Sequence, residues 1–225
     1  MIEAGSAPNR DESMTMRRLL EIASDPLVTQ PIDRLGAPDL VTRFGGLGAG
    51  LVDLLTERNG FYAFESALLV RPLGQSSSPL DLASWNSETL WVSRYAAFNL
   101  PTLLFFAEDL FGNQFAISDS GVVSFDPETG ELAPLADSLQ SWCDVLLADF
   151  NSHTGYPVAH EWQAKHGPLE PGHRLTPQVP FVAGGAFRVD NLLAMNEAEG
   201  MEYRADIANQ IRELPDGAKI RIRFD

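Results

Sequence analysis

The 225 residues are 44% hydrophobic, which excludes general disorder, and no apolar run approaches the about 18 residues that a membrane helix requires. Thirty-one acids against sixteen bases give a formal net charge of −15, which disfavours nucleic acid as a partner and favours basic molecules. The polar start, MIEAGSAPNRDESMTMRR, lacks the apolar stretch of about 7–15 residues found in secretory signals, so a cytoplasmic protein is expected, without membrane contact.

Residues 1–40 read as an N-terminal tail with one short helix around Arg17 to Ala23, and 41–225 as a single α+β domain. The glycine run Phe44-Gly45-Gly46-Leu47-Gly48-Ala49-Gly50 is no phosphate loop. No Gly-Lys-Ser/Thr follows, and Leu51 occupies the third glycine position of a dinucleotide fingerprint. A helix over about 48–58 is expected instead, stopped by Asn59-Gly60, then one strand from Phe61 to Arg71 ended by Pro72. The spacing of Leu90, Trp91, Arg94 and Tyr95 predicts one helix over 85–95.

Residues 103–131 organise the chain, because three apolar segments are cut at short intervals by turn residues. Adjacent antiparallel strands are expected at about 103–107, 113–118 and 122–125, joined at Phe111-Gly112-Asn113 and Asp119-Ser120-Gly121. Asp126-Pro127-Glu128-Thr129-Gly130 closes this meander. Pro127 has φ pre-set for the second position of a type I turn, and Gly130 can take the left-handed position.

Beyond it, Leu139, Trp142, Cys143, Leu146, Leu147 and Phe150 recur at helical spacing after an Asp137 cap with Gln140 three residues on. That helix should end near Ser152, before Gly155. Cys143 lies on its apolar stripe, which makes the single cysteine a core residue, not a nucleophile. A short helix ending at Gly167-Pro168, a proline-rich extended connection, a strand over 191–195, a helix over 201–214 and a last strand over 219–224 complete the expectation. That last strand would carry Lys219, Arg221 and Arg223 as an outward basic row.

Two clusters bear on function. All four histidines, His153, His160, His166 and His173, fall in 21 residues, yet His160 and His166 are six apart and sit roughly 120° apart around a helix. The i, i+4 pairing of a zinc-protease helix is lacking, so neither metal nor cofactor is expected. The second cluster is acidic. Residues 95–164 contain no lysine or arginine but ten acids, leaving −5 of the −15 for the other 155 residues. Such a segment reads either as a solvated acidic surface that keeps the protein soluble or as a surface for a basic partner, and for the latter Glu108, Asp109, Asp126, Glu128 and Glu131 are the expected surface residues.

The string from Asn59-Gly60-Phe61-Tyr62-Ala63-Phe64 to Leu68, then Trp85-Asn86 with Leu90-Trp91 and Tyr95, then Phe105 to Phe115 and the Asp126–Gly130 turn resembles the SUKH superfamily. The segments GHRLTPQVPFVAGG, NLLAM and LPDGAKIRIRF resemble the C-terminal portion of a larger bacterial branch of it, so the resemblance covers about Gly45 to Phe224. It implies a mostly antiparallel sheet packed against several helices, no catalytic residues, and an immunity protein that binds and neutralises a cognate toxin inside the cell. A basic nuclease is the kind of toxin that an acidic surface suits. A regulatory or scaffold adaptor of the same fold has the same sequence signature. An enzyme would need His160 or His166 to converge with Asp149 or Glu161 in a pocket.

Overall fold

The computed structural model describes residues 12–30, 32, 37–215, 217 and 218. Its centre is a six-stranded antiparallel sheet in sequence order: β1 (Phe61–Ala63), β2 (Leu68–Val70), β3 (Leu104–Asp109), β4 (Gln114–Ser118), β5 (Gly121–Asp126) and β6 (Glu131–Ala136). The three strands expected over the meander are all present, and β6 extends them. Local turn chemistry suffices here, since each reversal is short and strand neighbours are sequence neighbours.

Helices cover both faces, so every residue of β3 is buried. On one face Phe106 and Phe115 pack edge-on against Trp142 of α4 (Leu139–Ala148), with α2 (Ala37–Glu57) contributing Leu51, Leu54 and Leu55 to the same core. On the other, Phe105 and Phe125 meet Trp91 and Tyr95, together with Met201, Ala205 and Ala208 of α7 (Glu197–Ile211). Leu19 of α1 (Glu12–Glu21) is fully buried in the first of these cores. Just beyond that helix the Ser24 N–H donates to Tyr62 O at 2.7 Å. Residues 1–11 of the tail expected over 1–40, and the strand over 219–224 with its basic row, lie outside the described residues.

Several local expectations are corrected. The 61–71 strand is a hairpin, because Phe64, Glu65 and Ser66 all take positive φ (51°, 51° and 67°). Contacts from distant chain hold this turn: Gln163 donates to Glu65 O and Arg174 to Ser66 O. The helix of 48–58 begins eleven residues earlier, and Gly45 (φ 54°, ψ −127°) kinks it. The 85–95 helix is divided into α3 (Leu82–Trp85) and a 3₁₀ helix at Val92–Phe98. Asp81 caps α3, and Asn86 ends it by gripping both the N–H and the C=O of Phe105. Ser138 caps α4 instead of Asp137, and α4 stops at Ala148, followed by α5 (Phe150–Thr154) and α6 (Tyr156–His166).

The proline-rich connection contains a further strand. β7 (His173–Pro177) pairs with β8 (Leu192–Asn196) as a second, two-stranded sheet. Among the described residues no helix is long and apolar enough to cross a membrane.

Candidate interaction site

The five candidate acids separate into interior and surface groups. Glu108 (1% exposed), Asp109 and Glu128 are buried, while Asp126 and Glu131 are exposed. The expectation that all five lie at the surface is therefore corrected, and each buried carboxylate has a structural partner.

Glu108 anchors a closed ionic seam. Its Oε1 accepts from Arg174 Nε at 2.7 Å, and its Oε2 pairs with Arg71 Nη2 at 3.0 Å and accepts from Gln114 Nε2 at 2.9 Å. Arg71 also pairs with Glu197 at 3.0 Å and lies 3.4 Å over the Trp85 ring, whose N–H donates to Gln114. Burial alone would push the Glu108 carboxyl up, yet Arg71 and Arg174 outweigh it and hold the group below the usual carboxylate range. The seam joins β3 and β4 to β7 and to the first turn of α7. Its four charged residues are at most 4% exposed, so no substrate reaches them.

Asp109 closes the β3–β4 turn by accepting from Phe111 N, Asn113 N and Asn113 Nδ2 at 2.7–2.9 Å. Burial pushes its pKa up to about 7 against the pull of these donors. Glu128 accepts from Val182 N at 2.9 Å, and burial raises it too. Its turn is clasped further by Tyr95, whose hydroxyl donates to Pro127 O at 2.7 Å, and by Phe98 against Gly130.

The remaining seven acids of 95–164 are exposed: Asp119, Asp126, Glu131, Asp137, Asp144, Asp149 and Glu161. Only Glu161 forms an ion pair among the described residues, with Lys165 at 2.9 Å. They do not share one face. Asp126 and Glu131 are cross-strand partners at one end of the β5–β6 hairpin, whereas Asp119 and Asp137 lie at the other, five residues or about 16 Å along β5. The Asp126 end also bears a cleft of about 230 Å³ lined by Asp109, Asn113, Ser152 and His153.

The histidines go to separate partners. His160 Nδ1 lies 2.8 Å from Glu65 Oε2, with the Tyr156 hydroxyl on the other carboxylate oxygen at 3.3 Å. His166 stacks on Trp162, and His173 contacts Pro171 O. Neither Asp149 nor Glu161 joins His160 or His166. Asp149 caps α5, and the partner of His160, Glu65, is 95 residues away in sequence.

Sequence reasoning missed the segment beside the acidic turn, 178–191, which was expected only as an extended connection. It presents Phe187 at 59% exposure, and the signal was available as two phenylalanines flanking Gly184-Gly185 in a connection too glycine- and proline-rich to form an α-helix or strand of its own. No protein-family model and no curated protein matches this chain. The fold is similar to that in the crystal structure of Atu4351 from Agrobacterium tumefaciens, with a TM-score of 0.53 at 11% sequence identity over 83% of this chain and 86% of that one.

Proposed function

We propose that this chain is an immunity-type binding protein, acting inside the cell, that neutralises a cognate basic toxin by direct contact through the Asp126–Glu131 end of its sheet. The carrying observation is that Asp126 and Glu131 are exposed, adjacent across a hairpin, and without an ion-pair partner among the described residues. Unpaired charges of one sign accelerate encounter with a partner of the opposite sign. The densest ionisable cluster, around Glu108, is closed to solvent and serves packing, which supports a binding role over a chemical one. The SUKH resemblance supplies the toxin as the partner class.

The test is co-expression with the polypeptide encoded by the adjacent gene. Restored growth together with a purified complex is the expected result. A complex without growth protection would point to an adaptor, and no complex would sink the proposal.

A further inference from the structure

The β7–β8 hairpin has a long connection, residues 178–191, and long loops inside compact domains are commonly functional or disordered. This one is built. The Asn191 side chain accepts from Val179 N at 2.8 Å and donates to Val179 O at 2.9 Å and to Ala186 O at 3.1 Å. Gly185 N donates to Pro180 O at 2.9 Å, and a Cβ on Gly185 would collide with Val179 O. Glu128 accepts from Val182 N and so fastens the loop to the acidic turn.

These ties hold apolar groups out in solvent. Phe187 stacks on Phe181 with centroids 3.9 Å apart and planes 9° apart, and both rings stand edge-on to the buried Phe111 at 5.6 and 5.4 Å. Phe187 is 59% exposed and Val179 51%. A rigid aromatic that is exposed yet already ordered loses little entropy on being covered, which is the property of an interface anchor. The neighbouring cation does not spoil the acidic character, because Arg188 is paired with Asp190 at 3.0 Å.

We infer that Phe187, seated on Phe181 and Phe111, is the apolar anchor of the partner-binding surface, with Asp126 and Glu131 as its acidic rim. The inference rests on the reading above and deepens it. The occupant is a basic protein whose apolar pocket covers Phe187 while its lysines or arginines face the rim. Charge complementarity selects that class of partner.

The experiment measures association and dissociation rates separately, using the protein encoded by the adjacent gene as the probe. Phe187→Ala should raise the dissociation rate about 30-fold or more, the threshold of a hot spot, with association rate and salt dependence unchanged. Val179→Ser is a second variant at a site whose exposure spares the fold, and thermal unfolding checks both. Wild-type dissociation rates in both folded variants would overturn the anchor while leaving the acidic reading in place. If Asp126→Asn/Glu131→Gln changes nothing but Phe187→Ala does, the anchor stands and the acidic rim falls. Failure of the wild-type protein to form a complex overturns both.

Discussion

Two sets of carboxylates come from one stretch of chain and do opposite work. Glu108, Asp109 and Glu128 lie inside, Glu108 and Glu128 held by donors from distant elements and Asp109 by those of its own turn, while Asp126 and Glu131 stand outside with no counter-ion among the described residues. Identical chemistry is a strut where low dielectric makes an unpaired charge costly, and a long-range attractor where water leaves it free. The difference is environment, so the two sets should fail differently when altered.

The largest effect belongs to the seam. Glu108→Ala leaves Arg174 buried without its ion-pair partner and Arg71 with Glu197 alone, and should cost about 3–5 kcal/mol in urea unfolding. A loss under about 1 kcal/mol would mean that the interior is better hydrated than its burial indicates.

The pH dependence of stability separates the two carboxylates of this β3 end. Asp109 is pushed up to about 7, so its protonation favours the folded state. That contribution is complete below its unfolded value of about 3.9 and is lost as pH rises through about 7. Glu108 is held below its unfolded value of about 4.3, so its contribution is present above that value and is lost as pH falls through the folded one. Thermal midpoints of Asp109→Asn between pH 3 and 8 should therefore lose the decline from about pH 4 to 7 and retain the acid limb. Profiles parallel to wild type would refute this assignment.

Smaller again is Gly130→Ala. Gly130 has φ +74°, and the new methyl would meet the Phe98 ring. A loss of about 1–3 kcal/mol by denaturation is expected, and unchanged stability would show that the turn relaxes freely. The smallest effects fall on the surface. Glu131→Gln, and Glu65→Gln in its exposed pair with His160, should each stay within about 0.5 kcal/mol of wild type in the same urea titration.

The meander was legible because Gly112, Gly121 and Gly130 punctuate it locally and its strands pair in sequence order. Elements fixed by distant side chains were not. Nothing near Asn86 announces that its amide will grip Phe105, and nothing near Ser66 announces Arg174, 108 residues on. The burial of Glu108 did leave a trace: it follows Phe105-Phe106-Ala107 on a strand apolar on both faces, where a carboxylate needs an internal cation. Charge counting could not use that trace, since it records sequence density and ignores direction. It likewise counts Asp119 and Asp126 in one acidic segment, although β5 holds them at opposite ends.

The central claim is that the exposed pair, and not the buried set, meets the partner. Its most direct measurement is the association rate of Asp126→Asn/Glu131→Gln with the adjacent gene's protein at ionic strengths of about 0.01 M and about 1 M, where the screening length falls from about 30 Å to about 3 Å. The account predicts slower association than wild type at low salt and convergence at high salt. Equal rates at both ionic strengths, with no salt dependence in the wild-type protein, would contradict it.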